Sequence, residues 1–144
     1  NFFNQTLQLI GQNQLQDKVK LQGKRAPAEL QKITSAAFAG ITLFENNGLS
    51  NYLSLANRFF DYIMAGTPQV CIDFPAYREI NNQYQVAVLI ADTHPDTITK
   101  GLNLLLDDVV LYELLKKNCE KARAELNWQE EEKKLITFYQ SIFE

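Results

Sequence analysis

The sequence is poor in the residues that most often build metal and redox sites. Its 144 residues include one histidine and two cysteines. The cysteines, Cys71 and Cys119, stand far apart and match no metal or redox spacing. Because Cys71 lies in an apolar run at 70–72, we interpret it as a buried free thiol in a reducing compartment. The lone histidine, His94, has neither a second histidine nor a carboxylate cluster nearby, so the sequence gives no support for a metal or proton-shuttle role.

Long apolar runs and an excess of positive charge are also missing. No stretch approaches the roughly 18 apolar residues of a membrane-spanning helix, and no charged-then-apolar start indicates a signal peptide. The net charge of −3 and the pI of about 5.2 argue against a nucleic-acid partner. With 46% hydrophobic residues, the chain has the length and composition of one domain with a real core.

Short apolar segments alternate with helical periodicity along most of the chain. Strands are predicted at 19–22, 40–44, 69–72 and 86–91. Helices are predicted at 2–15, 27–37, 54–64, 75–83, 96–105, 108–124 and 128–143. This alternation predicts an α/β fold, with a Rossmann-like parallel sheet covered by helices on both faces. Because the chain opens with a helix, we expect the first strand to be missing; a weakly patterned strand near residue 2 is the alternative.

In such sheets ligands bind at the carboxyl ends of the strands, so the loops after residues 22, 44, 72 and 90 are the places to expect a site. The loop at 46–53 leads into the helix predicted to be capped by Ser54. The free amides of its first turn would form an anion site. A cation at Arg58 opposes the helix dipole there, and a bound diphosphate would remove that conflict. The predicted phosphate-binding residues are therefore Ser54, Leu55, Asn57 and Arg58.

Asp61 lies three residues after Arg58 and so shares a helix face with it. Its carboxylate could accept hydrogen bonds from ribose hydroxyls. The alternative is a local Arg58–Asp61 ion pair on a surface helix.

The turn Gly23-Lys24-Arg25 is a further candidate site, because two adjacent cations at the carboxyl end of a strand could bind phosphate. The alternative is a solvated turn.

We expect Tyr62 and Trp128 to be packing residues and not stacking platforms. The charged run at 130–134 is interpreted as a solvated helix face.

Residues 55–62, Leu-Ala-Asn-Arg-Phe-Phe-Asp-Tyr, and the turn Ala-Gly-Thr-Pro at 65–68 resemble the donor-binding segment of a family of GT-B glycosyltransferases. This is the large retaining family called group 1 or family 4. Its members commonly carry Leu-Pro-Asn-Lys-Phe-Phe-Glu-Tyr before an Ala-Gly-x-Pro turn, so Ala56, Arg58 and Asp61 replace proline, lysine and glutamate. The resemblance continues at 73–80 and at the Glu-Leu-Asn-Trp element of 125–128. It covers roughly residues 19–143.

The resemblance implies that residues 1–144 are the C-terminal donor-binding domain of a GT-B glycosyltransferase, a fragment without its N-terminal acceptor-binding domain. The helix at 126–144 would cross toward that missing domain. The implied activity is transfer of a hexose from a nucleotide-diphosphate sugar to a glycan, lipid or other acceptor, without a metal or other cofactor. The isolated chain would be inactive. We further expect a cytoplasmic bacterial protein of polysaccharide biosynthesis, associated peripherally with the inner face of the membrane through the full-length protein.

The resemblance also implies roles for single residues. Arg58 would contact the donor phosphates and Asp61 the ribose, while the turn Gly23-Lys24-Arg25 would contact the base or the phosphates. Many members have a pair of glutamates whose positions correspond here to Leu53 and Asp61. The first glutamate, which would contact the sugar, is therefore absent, and Glu45 is out of register with it.

The sequence leaves one other class of protein open and argues against another. A non-catalytic nucleotide-binding or protein-interaction α/β module is favoured by the apolar Leu53. A response-regulator-like domain would require an acidic cluster at the strand ends, which the sequence lacks.

Overall fold

The computed structural model describes residues 1–143. Within them the chain forms eight helices and three strands: α1 (Phe2–Gln12), α2 (Pro27–Ala36), β1 (Gly40–Thr42), α3 (Leu49–Tyr52), α4 (Asn57–Ala65), β2 (Gln69–Ile72), α5 (Pro75–Tyr84), β3 (Ala87–Ile90), α6 (Pro95–Asp107), α7 (Val109–Glu125) and α8 (Trp128–Phe143). The chain divides into two compact units, Asn1–Leu30 and the part from Gln31 onward. Each is described by itself below.

The first unit is built around α1. Asn1 caps this helix, since its side chain accepts a hydrogen bond from the amide of Phe3 (3.1 Å). The strand predicted at 19–22 is wrong, because these residues lie outside any strand and are exposed. Val19 and Leu21 instead line an apolar groove beside α1. Their alternation therefore reflects packing beside a helix and not pairing in a sheet.

The second unit contains a parallel sheet in the order β1-β2-β3. Gly40 pairs with Gln69, and Cys71 pairs with Leu89. The strands predicted at 40–44, 69–72 and 86–91 are confirmed, two of them with shorter bounds. The sheet therefore begins at residue 40 and not at residue 19.

Helices cover both faces of this sheet, as predicted. Cys71 and Ala87 pack into a core with residues of α4, α5 and α7. Val70 and Ile90 face the other way, into a core that contains Leu105 of α6. The neighbouring residues Val70 and Cys71 thus point to opposite layers, and β2 is buried along its whole length.

Glycines let two elements approach this sheet closely. A Cβ atom on Gly101 of α6 would lie 3.0 Å from side-chain carbons of both Val70 and Ile90. A Cβ atom on Gly40 would lie 2.5 Å from ring carbons of Tyr62 in α4. Tyr62 is therefore a packing residue, as predicted.

Local signals set most helix ends. Gly66 adopts φ +71° after α4, and the amide of Thr67 donates to the carbonyl of Tyr62 (2.9 Å), so this turn ends the helix predicted at 54–64. Asp96 has the residue type of a helix cap, but the cap residue of α6 is His94, whose Nδ1 accepts from the amide of Asp96 (3.4 Å). The reason is that Pro95 takes the first helical position, which leaves Asp96 inside the first turn.

The C-terminal helix α8 has the predicted bounds. Its charged run is a solvated face, where Lys133 pairs with Glu130 (2.7 Å) and Lys134 pairs with Glu131 (2.6 Å). None of the helices in residues 1–143 is long and apolar enough to cross a membrane.

Candidate functional site

The opening of α4 differs from the prediction. Ser54 does not cap this helix, because α4 begins at Asn57 and its cap residue is Ala56. The Ser54 hydroxyl donates to the carbonyl of Asn51 (2.8 Å) and so closes the preceding helix α3. That short helix lies in the segment predicted to be a loop. Ser54 thus has the residue type of a cap, but its side chain turns back to the earlier helix.

Two amides remain unpaired where α4 begins. The amide of Ala56 donates to the Tyr77 hydroxyl (3.1 Å), and that of Phe59 donates to the Ala56 carbonyl (3.0 Å). Between them, the amides of Asn57 and Arg58 donate to no acceptor in residues 1–143. Asn57 and Arg58 are both exposed. The helix opening therefore presents free N–H groups and the positive end of its dipole to solvent.

Arg58 lies at the carboxyl edge of the sheet. Its guanidinium carbon is 5.8 Å from the ring centroid of Phe44, which follows β1. In the described part of the chain Arg58 forms no ion pair, so the alternative of a local Arg58–Asp61 pair is not formed. Asp61 is also exposed on α4. The positive charge of Arg58 thus has no anionic partner in residues 1–143, and it belongs to the same helix turn as the free amides.

Arg78, a second arginine at this edge, differs from Arg58 because it has an ion-pair partner. Arg78 donates from Nε and Nη2 to the two carboxylate oxygens of Asp73 (2.7 and 2.8 Å), directly after β2. These hydrogen bonds, with the charge of Asp73, raise the pKa of Arg78 above its ordinary value. Arg78 is therefore already paired with an anion, whereas Arg58 is not.

Tyr77 is the residue of this region that the sequence reasoning missed. It is fully buried, and its ring centroid lies 5.2 Å from that of Phe59. Its place on α5 soon after Pro75 is compatible with burial, but no pattern in the sequence indicates that its hydroxyl binds the amide of Ala56. The structure therefore adds one polar contact that holds the start of α4.

The other predicted donor-site residues lie around α4. Ser54 is half-buried and Leu55 is exposed. Leu53, at the position of the absent glutamate, is 61% exposed between α3 and α4. It offers an apolar side chain to solvent and no hydrogen-bond acceptor.

Gly23, Lys24 and Arg25 are all exposed and belong to the first compact unit. Gly23 adopts φ +67°, which suits the predicted turn. The Arg25 guanidinium donates to the side-chain oxygen of Gln22 (2.7 Å). Their role toward a base or phosphate stays a prediction.

The two cysteines and Trp128 are the last residues considered in the sequence. Cys71 and Cys119 are buried free thiols, as interpreted for Cys71. Trp128 is 63% exposed at the start of α8, so the prediction that it packs is wrong. It opens a helix whose residues are mostly exposed, which leaves its ring little to pack against. Within residues 1–143, no group of three or more His, Cys, Asp or Glu side chains is arranged to hold a metal ion.

Comparison with known proteins identifies the fold. No protein-family model matches the chain, and no curated protein matches it. The structure matches that of sucrose-phosphate synthase from Thermosynechococcus elongatus with a TM-score of 0.75 and 19% sequence identity. The match covers 97% of this chain and 34% of that one. The chain has the fold of a GT-B half-domain. The predicted fold class is thereby confirmed, while membership of group 1 or family 4 stays a prediction.

Proposed function

We propose that the chain is the donor-binding half of a glycosyltransferase of the group 1 or family 4 type. It would bind a nucleotide-diphosphate sugar, from which a hexose is transferred to a glycan, lipid or other acceptor. The GT-B half-domain fold supports this reading. The observation that carries it is the opening of α4, whose first turn carries the free amides of Asn57 and Arg58 and a guanidinium, that of Arg58, without an ion-pair partner in residues 1–143.

This geometry suits the chemistry of the departing group. In the transfer, the bond between the anomeric carbon and the phosphate oxygen breaks, and a bond from that carbon to an acceptor oxygen forms. The acceptor hydroxyl loses its proton, and the nucleoside diphosphate leaves with the bonding electrons. Hydrogen-bond donors that are oriented before the reaction stabilise such a developing charge with little reorganisation. Arg58 and the first turn of α4 would supply this stabilisation without a metal ion.

Asp61 is the proposed ribose ligand, because its exposed carboxylate lies one turn along α4 from Arg58. Leu53 can make no hydrogen bond to a sugar hydroxyl. This exposed apolar side chain favours a second candidate function, a non-catalytic nucleotide-binding or protein-interaction module with the same fold.

The partner of the full-length protein would be an N-terminal acceptor-binding domain, and α8 would cross toward it. Several apolar side chains of α8 are exposed and would be covered by such a domain: Leu135, Ile136, Phe138, Tyr139, Ile142 and Phe143. Without that domain we expect no turnover. A cytoplasmic location at the inner face of a membrane, in polysaccharide biosynthesis, belongs to the same proposal.

Thermal shift with ADP, GDP and UDP at millimolar concentration tests the proposal. A ligand at ten times its Kd stabilises the folded state by roughly 1.4 kcal/mol, so at least one nucleoside diphosphate should raise the Tm by several degrees. The matching nucleosides, which lack phosphate, should have little effect. A chain that responds to no nucleotide would instead be the protein-interaction module.

A further inference from the structure

We propose that Tyr77 is a positioning residue for donor binding, because its hydroxyl fixes the backbone from which the phosphate-binding amides of α4 project. This inference rests on the proposed function. It assigns to Tyr77 no contact with the donor itself.

The contact is specific and buried. Tyr77 is fully buried in α5, and its hydroxyl accepts a hydrogen bond from the amide of Ala56 (3.1 Å). Its ring packs against Phe59, at 5.2 Å between centroids and 51° between planes. Tyr77 therefore contacts both the cap residue and the first turn of α4.

Ala56 has no side-chain oxygen with which to cap α4, so the start of this helix is held by contacts from other elements. It is the residue immediately before Asn57 and Arg58, whose amides are free. Helix ends fray readily, and a frayed first turn would no longer direct its N–H groups toward one diphosphate. The hydrogen bond from Ala56 to Tyr77 anchors the chain at this point.

A second buried contact holds the same turn from the sheet. The side-chain amide of Gln69 donates to the carbonyl of Phe59 (3.0 Å). The opening of α4 is thus fixed from α5 by Tyr77 and from β2 by Gln69. Arg58 and the free amides remain exposed between these anchors, ready to bind an anion.

Tyr77→Phe tests the inference, because it keeps the ring and removes only the hydroxyl. Affinity for ADP, GDP and UDP is measured by calorimetric titration of the wild type and the variant. We expect the diphosphate that the wild type binds best to bind about tenfold more weakly to the variant. Circular dichroism at the titration temperature confirms that the compared samples are folded.

A rescue variant separates positioning from a general loss of stability. Ala56 has φ −77°, close to the value that a proline ring imposes. Ala56→Pro in the Tyr77→Phe background also removes the amide that has lost its acceptor. We expect this double variant to recover affinity to within about threefold of the wild type.

The outcomes distinguish the two proposals. A wild type that binds none of the three diphosphates overturns the proposed function and this inference together. If the wild type binds and Tyr77→Phe binds equally well, only the inference is overturned. A double variant as weak as Tyr77→Phe would also overturn it, because the loss would not come from the backbone at Ala56.

Discussion

The side chain of Gln69 links three elements through a buried polar network, and its removal should cost measurable stability. Gln69 is fully buried at the start of β2. Its Oε1 accepts a hydrogen bond from the hydroxyl of Thr42 in β1 (2.8 Å), and its Nε2 donates to the carbonyl of Phe59 in α4 (3.0 Å). In Gln69→Leu both hydrogen bonds are lost, and the buried hydroxyl of Thr42 is left without an acceptor.

The expected loss of unfolding free energy is about 3–5 kcal/mol. Each hydrogen bond contributes roughly 1 kcal/mol net, and an unsatisfied buried hydroxyl adds about 1–3 kcal/mol. Thr42→Val alone should be destabilising, because it leaves the Oε1 of Gln69 unpaired. In the double variant both polar partners are replaced by apolar groups, so its loss should be smaller than the sum of the two single losses by at least about 1 kcal/mol.

Urea denaturation of the two single variants and the double variant measures this coupling. Thr137→Val, at an exposed position of α8, is the control and should change stability by less than about 0.5 kcal/mol. Strictly additive losses, or a Gln69→Leu variant as stable as the wild type, would refute the reasoning. Either result would mean that the network does not act as one unit.

Two further predictions concern the same core. Gly40→Ala places a Cβ atom against the ring of Tyr62, so the free energy of unfolding should fall by about 1–3 kcal/mol. Calorimetry should show this loss as a lower Tm, and an unchanged Tm would contradict this close packing. Burial raises the pKa of the Cys119 thiol to about 12 and raises that of the Cys71 thiol further. The folded state therefore keeps both thiols protonated in the pH range where the thiols of the unfolded chain ionise. The free energy of unfolding should therefore fall as the pH rises above 9.0, the ordinary pKa of a thiol. The decline should be up to about 1.4 kcal/mol per pH unit for each thiol. The variant Cys71→Ala/Cys119→Ala should show a shallower decline in urea denaturation, and identical slopes would count against the burial of the thiols.

Much of the second unit could be predicted because its signals are local. The run at 70–72 is apolar on both faces and so indicates a covered strand. Gly66 and Pro68 stop α4 through backbone geometry that depends only on neighbouring residues. The bounds of α8 follow from an uninterrupted helical pattern.

The errors arise where one sequence signal serves two structures. Val19 and Leu21 alternate as in a strand, but they pack beside α1. Ser54 has the residue type of a helix cap, yet its hydroxyl closes α3. The contact from Ala56 to Tyr77 could not be predicted, because it joins residues far apart in sequence and depends on how α5 packs against α4.

The central claim is that the opening of α4 binds a nucleoside diphosphate with the help of Arg58. Calorimetric titration of Arg58→Ala with the diphosphate that the wild type binds tests it most directly. Loss of a charge-assisted hydrogen bond of about 1.5–3 kcal/mol should weaken binding by more than about tenfold. Lys100→Ala, which removes an exposed positive charge from α6, should bind like the wild type. Equal affinity of the wild type and Arg58→Ala would contradict the account.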